Sequence, residues 1–296
     1  SARLLLSRWF EWQREAAAVR EWAAQVETLR ALHGAVLKKV GAGDTPRLES
    51  LLSEAQLAQA EAQLAQAQAR LGRVADELAQ QFPGITLPTE VPRQTPQALA
   101  GAEASPEAWR ERLLTHNHEL GVARAAARRG RLVAQRLDAE RLPDPTIGVK
   151  YASERDGQER IVGLQVSIPF PGEARAASAR AGSAEADAAV AREALALAKI
   201  EAEARRTVSL AQSTRVQWQR LADVAARMED NARLLEKAWR LGEGQFSDIQ
   251  QARRQAIEAR LAATQAQLDA NEARYRLLLD AHELWDLDEA IATSPK

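Results

Sequence analysis

The 296 residues are 46% apolar but only 4% aromatic, and 40 basic residues balance 41 acidic ones for a net charge of −1. That balance removes the electrostatic case for nucleic acid as a partner, and zero cysteines exclude disulfides, thiolate metal sites and a cysteine nucleophile. No apolar run reaches the roughly eighteen residues of a membrane-spanning helix.

The chain begins Ser-Ala-Arg-Leu-Leu-Leu, already in helical register and without an initiator methionine, so it is expected to be a processed or truncated piece of a longer protein. Residues 1–39 read as a helix, with Leu5, Trp9, Trp12, Ala16, Val19, Ala23, Val26, Leu29, Leu32 and Val36 recurring at steps of three and four. Gly41-Ala42-Gly43-Asp44-Thr45-Pro46 breaks it, with Asp44 or Thr45 placed to cap a second helix. That second helix runs from about Pro46 to Gln81. In it Leu57, Leu64, Leu71 and Leu78 stand seven apart, with Ala60, Ala67 and Val74 between them. The two should form an antiparallel hairpin over residues 1–83, its tip at 41–46.

Residues 84–105 are rich in proline and glycine and read as a connector. Ser105 and Pro106 then open one short helix over 106–142, which Leu142-Pro143-Asp144-Pro145 ends. From 143 to 172 the period changes to two. Ile147, Val149 and Tyr151, and then Val162, Leu164, Val166, Ile168 and Phe170, alternate with small or polar residues across a polar turn. Strands of this length and one-sided apolarity suit a tilted crossing of a bilayer, and the eight apolar residues are the expected lipid-facing set. A lone hairpin is marginal in water, so these strands need partners.

Residues 173–286 read as a very long helix, a turn at 241–247 and a returning helix, with 287–296 as a frayed tail. Between Gly182 and Gly242 there is neither proline nor glycine, a stretch that as helix reaches roughly 90 Å. Such a helix suits a column or tube of helices better than a globule. The returning helix carries two series at sevens, Ile257, Thr264, Asn271, Leu278 and Trp285, and Leu261, Leu268 and Tyr275. Val40 to Leu48 answers Leu241 to Ile249 at an offset of 201, so the two hairpins read as an internal repeat. By that logic roughly 96 residues, including a second strand pair, are expected to precede this chain.

No catalytic constellation is present, and no metal or cofactor site is assigned. On one helix His116 and His118 would face opposite sides and could not share a metal. Arg124, Arg128, Arg129, Arg131 and Arg136 read as a solvated basic face, and the seven tryptophans as helix-to-helix packing. Gly41, Gly43, Gly242 and Gly244 read as glycines providing positive φ at helix ends. Asp44, Ser247 and Asp248 read first as helix caps.

The strings DPTIGVKY (144–151) and RIVGLQVSIPFPG (160–172) lead straight into the long helix, and RLGEGQFSDIQQARRQAIEARLAATQAQLDANEARY (240–275) comes after it. With the sister pattern KKVGAGDTPRLESLLSEAQLAQAEAQLAQAQARL (38–71), they resemble the TolC-like outer-membrane efflux factors, nearest in feel to the CzcC-like and CusC-like heavy-metal branch. The resemblance implies a mainly α fold of long antiparallel helical hairpins, with one β-hairpin contributing to an outer-membrane β-barrel. It implies a homotrimer in outer-membrane lipid of a Gram-negative bacterium, with a periplasmic extension. It also implies a passive exit duct fed by an inner-membrane pump through a periplasmic adaptor protein. Adaptor docking would fall to the tips, at Gly41, Gly43, Asp44, Pro46, Gly242, Gly244, Ser247 and Asp248, with Asp44, Glu243 and Asp248 as acids for a constriction. The competing reading from the residues is a soluble coiled-coil scaffold or periplasmic adaptor.

Overall fold

The computed structural model describes residues 2–88, 91, 94–99, 105–142, 144–154, 158–168 and 172–284. In chain order it contains α1 (Ala2–Ala42), α2 (Arg47–Gln81), α3 (Pro106–Thr115), α4 (His118–Ala139), β1 (Thr146–Glu154), β2 (Glu159–Ser167), α5 (Glu173–Arg240) and α6 (Phe246–Asp280). It divides into two compact units, residues 1–112 with 205–296, and residues 113–204. Trp285, Phe170 and the tail from 287 lie outside the described residues.

The first unit holds the two hairpins. α2 packs on α1, and α1 on α6. α6 packs on α5, where Ala232 meets Ala252 and Ala256 in a closely approached alanine seam. A larger cluster joins all four helices around Val26, Leu29, Leu32, Val36, Ala60, Trp239, Phe246 and Ile249. The expected α1 stripe is right from Val26 to Val36. Nearer the N-terminus Trp12 is buried as expected, together with Glu21 and with Phe10 and Ala17, which stand one step on from Trp9 and Ala16. Phe10 and Ala17 form a further cluster with Leu268, backed by Trp9 and Tyr275. The anticipated α2 seam also holds, with Ala60, Ala67 and Leu78 buried and Leu57, Leu64, Leu71 and Val74 half-buried.

The inner stripe of α5 repeats at alternating steps of four and three: Thr207, Ala211, Thr214, Trp218, Leu221, Ala225, Met228, Ala232, Leu235 and Trp239, all buried or half-buried. The six described tryptophans are all buried or half-buried, as packing residues should be. The described residues of the connector contain no helix or strand. Gln94 nonetheless straps it to α6: its carbonyl accepts from Gln267 Nε2 at 2.9 Å and Asn271 Nδ2 at 2.8 Å, and its side chain from Tyr275 Oη at 3.1 Å.

The single helix expected over 106–142 is two. Ser105 Oγ accepts from Ala108 N at 3.1 Å to start α3, as anticipated. Asn117 then takes an extended conformation and its Oδ1 accepts from Leu120 N at 2.9 Å, starting α4 afresh. An asparagine that can bond its own backbone competes with helix continuation, and here it wins. His116 and His118 therefore flank a break rather than occupying opposite faces of one helix. The five arginines of α4 are exposed, as expected.

In the second unit α4 meets the start of α5 through small residues. A Cβ at Gly130 would lie 3.3 Å from the Ala186 Cα, and one at Gly182 would lie 2.5 Å from Leu137 Cδ1. β1 and β2 form a two-stranded antiparallel sheet.

Candidate functional site

Two features carry chemistry, the hairpin of the second unit and the helix turns of the first. In the hairpin, Ile147 pairs with Val166, Val149 with Leu164 and Tyr151 with Val162. Alternation puts all six on one face. Between them stand Gly148 opposite Gln165, Lys150 opposite Gly163 and Thr146 opposite Ser167, which share the other face.

The apolar face is bare, with Leu164 80% exposed and Ile147 and Val149 each 73%. Ile168, just past β2 and in phase with Val166, is exposed too. Water would penalise such a surface by about 25 cal/mol for each Å² left uncovered, whereas hydrocarbon accepts it. Each strand has nine residues. At about 3.3 Å per residue and a tilt near 40°, that spans close to the apolar band of about 25 Å in an outer-membrane barrel wall. Seven of the eight expected lipid-facing residues thus share one exposed face, and Phe170 lies outside the described residues. No described helix is long and apolar enough to cross a membrane.

The two turns share one construction. Gly43 has φ +81° and Gly242 φ +86°. At the first, Asp44 N donates to Lys39 O at 2.9 Å and Gly43 N to Val40 O at 3.1 Å. At the second, Glu243 N donates to Ala238 O and Gly242 N to Trp239 O, both at 2.9 Å. This is the Schellman pattern, which satisfies helix carbonyls through a residue in the left-handed region. The equivalence therefore pairs Gly43 with Gly242, 199 positions apart, and the sequence offset of 201 is two residues out at the turn.

Two of the four glycines need a different account from the one expected. Gly41 lies within α1 with nothing within 4 Å of a would-be Cβ. Gly244 is set by close approach, since a Cβ there would stand 3.3 Å from Trp239 N. The capping roles are also corrected. The N-cap positions are Pro46 and Gln245, and neither makes a side-chain cap bond. The three-residue path from each positive-φ glycine to its N-cap leaves Asp44 short of α2 and carries Ser247 and Asp248 into the first turn of α6. Thr45 Oγ1 instead donates to Glu49 at 3.0 Å. Asp44, Glu243, Ser247 and Asp248 are all exposed.

The turns are tied together. Lys39 Nζ donates to Trp239 O at 2.8 Å and sits 4.5 Å from the centre of the indole ring. Trp239 in turn packs on Phe246, ring centres 5.7 Å apart. Above the second turn, Arg253 is 8% exposed and pairs with Glu229 at 2.9 Å and with Glu236, which also takes Arg240. Burial alone would raise the Glu236 carboxyl, but hydrogen bonds and charge from Arg253, and then Arg240, outweigh it and hold the group below its ordinary range. Sequence reading missed this network. The spacing of Glu229, Glu236 and Arg240 places them on one side of α5, but only the hairpin brings Arg253 opposite.

No family model matches the sequence, and no curated protein matches it by sequence. Solved structures do match. The outer-membrane channel OprN aligns at TM-score 0.70 with 18% identity, covering 94% of this chain and 65% of its own. CusC, described by transmembrane channel formation, aligns at 0.67 with 14% identity, covering 94% and 68%. The outer membrane protein VceC of Vibrio cholerae aligns at 0.66 with 16% identity, covering 94% and 69%. The fold is that of the TolC-like outer-membrane channels. This chain spans about two thirds of their length.

Proposed function

We propose that this chain is the channel component of a tripartite efflux system, a passive exit duct in the outer membrane with a periplasmic extension. One observation carries the reading: a strand pair of bilayer length exposes one face that is apolar from Ile147 and Val166 to Tyr151 and Val162, with Ser153 and Arg160 only at the turn end, in a fold otherwise shared with outer-membrane channels. Three copies would assemble, with residues 143–172 contributing to the barrel wall and the hairpins of 1–83 and 173–286 lining the tunnel. Cargo would be driven by an inner-membrane pump and handed over by a periplasmic adaptor at the tips 41–46 and 241–247. Exposed Asp44, Glu243, Ser247 and Asp248 are the groups available there, as docking contacts or as an acidic constriction, and they bring no enzymatic chemistry.

The test compares the two faces of the hairpin in the full-length protein. Leu164→Arg puts a charge into lipid, at a cost of about 2–4 kcal/mol near the midplane. It should deplete the outer-membrane fraction by more than tenfold, while Gln165→Arg on the other face should leave that fraction largely intact. Equal behaviour of the two variants, or release of the wild type by a detergent-free wash, would favour the soluble scaffold instead.

A further inference from the structure

The polar face of the hairpin carries one charge at its centre. β1 and β2 have nine residues each, and the fifth of β1, Lys150, stands opposite the fifth of β2, Gly163. Its neighbours on that face are Gly148, Gln165, Ala152 and Ile161, then Thr146 and Ser167 at the base, all of them neutral. The only other ionisable groups on that face of the described strands, Glu154 and Glu159, are paired at the turn end, about 13 Å along the strand at 3.3 Å per residue.

Nothing in the hairpin neutralises the lysine. Lys150 is exposed and makes no ion pair among the described residues. Gly163 opposite and Gly148 two residues back have no side chain to hold it against the sheet, and a Cβ at either would meet nothing within 4 Å. The four-carbon stem is free to carry the ammonium off the wall. An ammonium at the middle of a bilayer-length strand is tolerated only where water reaches it, because hydrocarbon does not solvate a charge. The bare apolar face takes the lipid side, which leaves Lys150 the water-filled side.

We propose that Lys150 is the charge-selecting residue of the duct: one lysine from each copy makes a ring of positive charge midway along the barrel lumen, which favours anionic cargo over cationic. This rests on the channel reading and gives the duct a cargo class. Charges of one sign around water, between walls of low dielectric, concentrate the opposite sign and exclude their own. An organic compound bearing a carboxylate or phosphate is drawn into the barrel, whereas a free metal cation is repelled there.

The full chain has no cysteine, so a single thiol can report the potential beside Lys150. Gln165 shares its face and lies diagonal to it, roughly 7–8 Å away. Full-length protein carrying Gln165→Cys, reconstituted in lipid nanodiscs, is treated with anionic and cationic methanethiosulfonates of similar size. At about 10 mM salt the anionic reagent should be favoured about fourfold, relative to the same pair of reagents on free cysteine. Adding Lys150→Gln should remove that preference and adding Lys150→Arg should keep it, while about 0.5 M salt should largely erase it. In planar bilayers under a salt gradient, Lys150→Gln should also move the reversal potential toward cation permeation. A rate ratio that Lys150→Gln leaves unchanged would overturn the charged ring and leave the channel reading intact. Reaction of Leu164→Cys with both reagents, while Gln165→Cys stays silent, would overturn the assignment of the two faces and the channel reading with it.

Discussion

Gly41 and Gly242 are indistinguishable as letters, each standing two residues before a second glycine, yet they do opposite things. Gly242 holds φ +86°, where any side chain with a Cβ is strained, whereas Gly41 sits in a helix with open space around it. Gly242→Val should therefore destabilise the second turn by about 1–2 kcal/mol, while Gly41→Ala should stabilise α1 by about 0.5–1 kcal/mol. Thermal unfolding followed by helical circular dichroism in detergent checks both, and equal shifts would remove the distinction. The third helix end of this type, after α6, uses His282 at φ +58° with the same backbone bonds, Glu283 N to Leu278 O at 2.9 Å and His282 N to Leu279 O at 3.1 Å. A motif read only through its glycines overlooks it.

At the scale of elements, periodicity located the first two helices to within a few residues, because long uniform stripes leave no competing arrangement. It failed at the α3–α4 junction, where one side chain decides. Asn117→Ala removes the oxygen that accepts from Leu120 N and should cost about 1 kcal/mol. Amide exchange should rise in the first turn of α4 and stay unchanged in α3. Uniform protection across both would show that the cap does not hold the break. The hairpin was legible for a different reason. Period-two alternation is unmistakable in a chain of helices, and the register that pairs Ile147 with Val166 comes from keeping one face apolar. The capping roles of Ser247 and Asp248 were misread because a residue's letter shows that it can cap, while its distance from the preceding left-handed glycine decides whether it does.

For the molecule as a whole, the Arg253 network ties the folded state to pH. Glu236 is held below its ordinary range in the folded chain, so its contribution is fully present above the unfolded carboxyl pKa and is lost as pH falls through the lower folded value. Unfolding midpoints should be flat from neutral pH down to about 5 and fall below that. Glu236→Gln should be less stable at neutral pH and show a shallower acid decline. A decline as steep as that of the wild type would place the acid sensitivity elsewhere. Because Glu236 binds both Arg253 and Arg240, the same change should loosen the second turn, to which Trp239 and Lys39 connect the first.

What the sequence by itself determined is everything carried by local pattern: the long helices, the proline-rich connector, the strand pair and the kinship of the two hairpins. These depend on backbone propensity and on which face of an element is apolar, and both are written residue by residue. The tertiary structure alone decided the true correspondence of the two turns, the meeting of Arg253 with Glu236, and the packing of α1 between α2 and α6. Each depends on which helix lies beside which, and a repeating alanine-rich pattern satisfies several such arrangements equally well until the packing of α1 on α6 selects one.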